Sequence, residues 1–238
     1  MTVWTELTTP WQAAFEQAWE AYRVQSLPMG AVVVDHVGRI VGHGRNRIFE
    51  TIAELSEIQY VFGHRLAHAE INALIGLDHA TTDVRECTLY VTLEPCVLCV
   101  GAIRMLGLKD VRYVARDPVA GGLALFEATD FMRRGGVIPK ELGHPAIAFA
   151  TIALNVAAHL ELVAEWKPDR WQAAGLRGVE FGRQLFVSGE LRQLADDSAS
   201  IAEVLDRLAD TYQAAIDHDE VSEHNLVAKI EQEAHQQT

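Results

Sequence analysis

Positive charge is in short supply in this chain. Its 238 residues carry 20 lysines and arginines against 33 aspartates and glutamates, a formal net charge of −13. A protein that grips a phosphate backbone presents a basic patch or stripe, so this balance argues against a polynucleotide partner. The deficit steepens toward the C-terminus: residues 151–238 hold 16 acidic and 7 basic residues, against 17 and 13 in residues 1–150. Cysteine is scarce as well. Three in all are too few for a disulfide framework and fit a reducing, cytoplasmic setting. Long apolar runs are missing. The most apolar stretch, Ala146 to Ala158, contains Thr151 and Asn155 and is shorter than the ~20 residues of a membrane span. Met1 to Phe15 has acids and tryptophan but not the basic start and apolar run of a signal peptide.

What is present is ordinary in bulk: 49% hydrophobic and 22% charged residues, as in a soluble globular protein. The length allows one large domain, or one of about 150 residues with an extension. Two short motifs stand out, His68-Ala69-Glu70 and Pro95-Cys96-Val97-Leu98-Cys99. They offer one imidazole, two thiols and a carboxylate that need not bind metal. A catalytic zinc site needs this set: three protein ligands, a fourth position for water, and a group to move protons. Cysteines three apart on an early helical turn share a face. Pro95 suits the first turn of that helix, and a helix N-terminus favours thiolate over thiol. Alone, a Cys-x-x-Cys also reads as a redox pair or half of a structural zinc site. A structural site needs a fourth ligand, and Cys87, the other cysteine, falls inside an expected strand over Cys87–Thr92.

The hydrophobic pattern predicts a helix from Thr9-Pro10 to about Val24, with Thr9 as cap and Pro10 at the first helical position. Strands follow over Ala31–Asp35 and Arg39–His43, joined by a turn at His36-Val37-Gly38. Glu50 to Phe62 reads as a helix ended by Gly63, and another helix starts near Ala67. After the strand at 87–92 come a helix over Cys96–Leu106 closed by Gly107, a strand over Val111–Ala115, and a short helix over Leu123–Phe131. Met132 to Pro145 reads as loop, and the rest as helices over Ala146–Val163, Asp169–Leu194 and Ile201–His218. Alternating strands and helices predict an α/β sheet covered on both faces. The domain expectation is 1–145 for the metal-binding part and 146–238 for a helical extension.

At these residues the chain resembles the zinc-dependent cytidine/deoxycytidylate deaminase superfamily, whose signature is H-x-E…P-C-x-x-C. Within it, the resemblance is to the branch of tRNA adenosine deaminase and guanine deaminase. Five stretches carry it: Pro28-Met29-Gly30-Ala31-Val32, Gly44-Arg45-Asn46-Arg47, Ala67-His68-Ala69-Glu70, Thr88 to Cys96, and Ala115-Arg116-Asp117. They cover about residues 10–132. The resemblance implies a three-layer α/β/α fold around a five-stranded mixed sheet. It implies His68, Cys96 and Cys99 as Zn2+ ligands, Glu70 as proton shuttle, and Asn46 as a base reader. Asp117 matches an acidic position at the active site of relatives; before Pro118 it also reads as a turn initiator. Self-association into a homo-oligomer is implied by resemblance alone. The stretch from Asn46 to His68 is longer than in the tRNA enzyme, Gly63-His64-Arg65-Leu66 replaces the usual Asp-Pro-Thr-like lead-in, and the loop around Arg134 has little basic character.

The leading expectation is therefore hydrolytic deamination of a free nucleobase or nucleoside, purine rather than pyrimidine, by a protein with no membrane partner and for which nucleic acid is a disfavoured but open partner. Alternatives are a tRNA adenosine-to-inosine deaminase, a pyrimidine deaminase, and a non-catalytic zinc module. Phe49, Tyr60 and Phe62 read as core or as a lid. His144, His159, His218, His224 and His235 have no ligand spacing and read as solvated or core histidines.

Overall fold

The computed structural model describes residues 2–51 and 60–217. Strands β1 (Gly30–Val34), β2 (Ile40–Arg45), β3 (Thr88–Leu93), β4 (Asp110–Ala115) and β5 (Ile138–Glu141) form one sheet in the order β2-β1-β3-β4-β5. β1 runs antiparallel to β2 and β3, while β3, β4 and β5 are parallel. The helices are α1 (Val3–Glu6), α2 (Thr9–Arg23), α3 (Ala69–Ile75), α4 (Val97–Leu106), α5 (Asp130–Arg133), α6 (Pro145–Leu162), α7 (Leu176–Ser188) and α8 (Glu190–Asp196). Residues 201–217 are also helical.

All five residues of β1 are buried, as expected of a strand covered on both faces. Ala31 and Val33 join Ala69, Ala73 and Leu74 of α3, and Val100 and Ile103 of α4. Val32 and Val34 point the other way, to Ala14 of α2. The result is the three-layer α/β/α arrangement of the cytidine deaminase-like fold, with a helical extension. β2 lies against the backbone of α3 because position 44 has no side chain: a Cβ on Gly44 would come 2.3 Å from the Ala69 carbonyl.

The extension shares its core with the sheet layer. Trp11, Phe15, Trp19 and Tyr22 of α2 cluster with Ile147, Ala150 and Leu154 of α6, Leu185 of α7, and Val204 and Leu205. Fully burying each such side chain stabilises the fold by about 1.5–3 kcal/mol. α6 has 18 residues, longer than its apolar run, and is the one described helix long and apolar enough to cross a membrane by length and composition. Two-thirds of it is buried inside the protein, so its apolarity is that of a core helix.

Several expectations need correction. Residues 138–141 form an edge strand rather than loop. Its exposed side chains and Pro139 erase the strand pattern, and an edge position is where a sheet tolerates proline. The single helix expected over 169–194 is a 3-10 turn (Pro168–Ala174) followed by α7 and α8. Gly175 (φ 153°) and Gly189 (φ 70°) interrupt it. Thr8, not Thr9, precedes the first long helix. The helix expected over 123–131 is a 3-10 turn (Leu123–Glu127) and then α5. Cys87 ends a 3-10 turn, with its Sγ 3.4 Å from the Asp83 carbonyl, instead of lying mid-strand. Most of the helix expected over 50–62 falls outside the described residues.

Candidate metal centre and its cavity

The two motifs meet at two helix starts. His68 is the residue before α3, with extended backbone (φ −78°, ψ 155°), and Glu70 lies in that helix's first turn. Cys96 is the residue before α4, also extended (φ −73°, ψ 173°), and Cys99 is in its first turn. Pro95 consequently lies outside the helix rather than in its first turn. Its carbonyl accepts a hydrogen bond from the Gly122 amide at 2.9 Å.

His68 Nδ1 lies 3.4 Å from Cys96 Sγ and 3.6 Å from Cys99 Sγ, and the two sulfurs are 3.6 Å apart. A tetrahedral zinc with bonds of about 2.3 Å to sulfur and 2.05 Å to nitrogen has ligand–ligand edges of about 3.8 Å and 3.5 Å. The three donor atoms thus span one face of such a tetrahedron. Among the described residues, this is the cluster of His, Cys and acidic groups placed to hold a metal ion. Among the described residues no fourth protein ligand closes it, in contrast to a structural zinc site.

The charges agree with the geometry. The Cys96 thiol is held down at about 4, first by a hydrogen bond from Cys99 and also by His68. Cys99 is pushed well above the thiol range by that same hydrogen bond and by burial. The His68 imidazole is raised by its hydrogen bond to Cys96, with burial opposing. Glu70 is buried, and burial lifts its carboxyl to about 7, helped by the charge of Cys96. A carboxyl poised near neutrality both takes and returns a proton.

Beside the triad is a cavity of about 170 Å³, lined by His68, Glu70, Cys96, Asn46, Asp117 and His159 among apolar walls that include Leu27, Met29 and Leu93. Asn46 is almost fully buried (1% exposed). Its Oδ1 accepts from Ser26 Oγ at 2.8 Å and from the Ile48 amide at 3.2 Å. That fixes the side-chain flip and turns Nδ2 toward the soft Met29 sulfur, 4.0 Å away. The amide N–H groups are thus the part of Asn46 left for a ligand. Asp117 stands at a turn and at the cavity edge. Its Oδ1 accepts from the Val119 and Ala120 amides at 2.9 Å, making a turn, and the residue lines the cavity.

Two cavity residues escaped the sequence reading. Glu94 is 7% exposed and spans the loops that bound the cavity, accepting from the Asp117 amide at 3.2 Å and the Leu123 amide at 3.3 Å. Its place in Leu93-Glu94-Pro95-Cys96 was the available signal. His159 comes from α6 in the extension and is neither solvated nor plain core. A histidine ending the apolar run Val156-Ala157-Ala158 was the only hint. His144 instead pairs with Glu6 at 3.1 Å, and His218, His224 and His235 lie outside the described residues. Phe49, Tyr60 and Phe62 do not line the cavity.

Residues 6–115 match the cytidine and deoxycytidylate deaminase zinc-binding region. The chain is 39% identical over 114 residues to a tRNA(Ile)-lysidine synthase of Deinococcus radiodurans, covering 46% of this chain and 17% of that one. It is 38% identical over 112 residues to the tRNA-specific adenosine deaminase of Haemophilus influenzae, covering 46% and 58%. It therefore spans less than two-thirds of these curated relatives. Among solved structures, guanine deaminase from Bacillus subtilis is 25% identical, with a TM-score of 0.38, over 50% of this chain and 73% of that one. With the triad inside the matched stretch and the mixed five-stranded sheet around it, residues 6–115 match the zinc-binding deaminase superfamily in sequence, metal ligands and fold.

Proposed function

We propose that this protein is a zinc-dependent hydrolytic deaminase of a free nucleobase or nucleoside, purine in preference to pyrimidine, releasing ammonia. The observation that carries the reading is the pairing of an open three-ligand site with a buried carboxyl that is not one of the ligands. His68, Cys96 and Cys99 would hold the ion, which would supply a water acidified toward neutrality as the nucleophile. Glu70 takes the first proton that water loses on attacking the amino-bearing carbon and passes it to a ring nitrogen. It then takes the second proton, from the hydroxyl now on that carbon, and delivers it to the amino group, so that the C–N bond breaks and ammonia leaves as the carbonyl forms. Asn46 donates from Nδ2 to an acceptor on the base and orients it. Leu27, Met29 and Leu93 sandwich the ring and exclude bulk water.

The purine preference rests on the branch resemblance of the five sequence stretches. A second reading, deamination of adenosine in tRNA, is supported by what the Haemophilus relative acts on. The net charge of −13 weighs against it. The deciding experiment measures ammonia release by zinc-loaded protein on guanine, adenine, cytosine, their nucleosides and a tRNA anticodon stem-loop. Turnover of a small purine alone is the expected result. Turnover of the stem-loop alone, with steep salt dependence, transfers the assignment to tRNA. No release from any of them leaves a non-catalytic zinc module.

A further inference from the structure

The cavity beside the zinc triad is lined in part by a residue from outside the family-matched region. His159 lies on α6, beyond the matched residues 6–115, yet it lines the same cavity as His68, Glu70, Asn46 and Asp117. Its placement is built. Nδ1 is 2.7 Å from the backbone carbonyl of Asn155. A carbonyl only accepts, so Nδ1 carries the hydrogen. One ring face stacks on Trp166, with centroids 4.8 Å apart at 29°, and Trp171 packs at 5.6 Å. The two tryptophans meet edge-on at 5.9 Å. Packed between these rings, the residue is half-buried and lines the cavity.

Burial pushes this imidazole below its usual value, so near neutral pH it is uncharged. With Nδ1 protonated, Nε2 is then a hydrogen-bond acceptor. Asp117 adds a second acceptor, since its Oδ1 serves the turn and Oδ2 does not. No lysine or arginine is among the described residues that line the cavity. His159 and Asp117 thus present acceptors to the cavity, and these call for a donor on the substrate. A free base has a ring N–H on the side remote from its reacting amino group. A nucleoside has a glycosidic carbon there, with no donor and the bulk of a sugar behind it.

We infer that His159, through Nε2, accepts a hydrogen bond from the ring N–H that a free base has and a nucleoside lacks, making the helical extension the part of the protein that selects free bases. This rests on the deaminase reading for its substrate class. The ligand cavity of about 170 Å³ is small beside the roughly 300–1,000 Å³ of common ligand sites, which suits a single base without sugar.

The test is equilibrium binding and turnover of zinc-loaded protein with guanine, 9-methylguanine, adenine and 9-methyladenine. It compares wild type with His159→Phe, which keeps the stack on the tryptophans, and His159→Gln, which keeps an acceptor. In wild type, N-methylation should weaken binding by about 10- to 100-fold, the size of a lost buried hydrogen bond. In His159→Phe, the free base should weaken by a similar factor and methylation should cost little more, with zinc content unchanged. His159→Gln should restore part of the preference. A wild type that binds methylated and free bases equally, or a His159→Phe protein that keeps the full discrimination, overturns the inference. Both arms can be read by binding alone. Absence of turnover with the discrimination intact would sink the deaminase reading and leave the base-selecting role of His159 standing.

Discussion

The two walls of the cavity are built by opposite means. The metal wall is local: His68 and Glu70, then Cys96 and Cys99, stand at the first turns of two helices held by one sheet. The facing wall is long-range. His159 reaches the cavity only because α6 packs across β4 and α2, and its ring is set by two tryptophans from the following turn. In the proposed reading, chemistry resides in the first wall and selection in the second. Motif spacing encodes one; tertiary packing encodes the other.

If the division holds, disturbing the walls should give different failures. The largest effect is expected on the metal wall. Cys99→Ser should lose zinc and all turnover, and remove the added heat stability that zinc gives the wild type; elemental analysis with calorimetric melting checks this. Next is Glu70→Gln, which should keep a full zinc complement while turnover falls by about 10²–10⁴-fold, the range for a removed general acid–base. Near-normal ammonia release from zinc-replete Glu70→Gln would remove Glu70 from the mechanism. On the facing wall, Trp171 is 3% exposed. Trp171→Ala should cost about 3–5 kcal/mol of stability, read as a lower urea midpoint, while zinc binds at the same stoichiometry. Loss of zinc from that variant would show the walls to be one unit.

The smallest expected effect is electrostatic. The depressed pKa of His159 means that the unfolded chain takes up a proton there more readily than the folded one. Stability from this group is complete above the ordinary histidine value of about 6.5 and declines as pH falls below it toward the folded-state value. His159→Phe should flatten the drop in urea midpoint between pH 7 and pH 5. An unchanged slope would place the acid sensitivity elsewhere.

The contrast also explains what could be read in advance. The ligand triad was legible because close spacing leaves its side chains few places to go, while Asn46 was picked out by family resemblance alone. His68 and Cys96 each precede a helix by one residue, so an H-x-E and a P-C-x-x-C already imply where the side chains point. Glu94 and β5 were hidden by burial of a charged side chain and exposure of a strand, each the reverse of the usual pattern. His159 was hidden for a different reason. Nothing within ten residues of it signals a cavity, since its neighbours in α6 are packed as core. Breaks at Gly175 and Gly189 were missed because the flanking residues are strong helix formers.

The shared core of α2 and α6 has a consequence for how the chain folds. Trp19 Nε1 donates to the Ala199 carbonyl at 2.8 Å, and the Trp4 amide donates to Asp206 at 3.0 Å. These contacts bridge 180 and 202 positions, a high contact order that slows folding. During synthesis α2 emerges long before its covering helices do. Trp19 gains its hydrogen-bond partner only after residue 199 has been made. The region that matches the deaminases therefore completes its core with helices that are made after it.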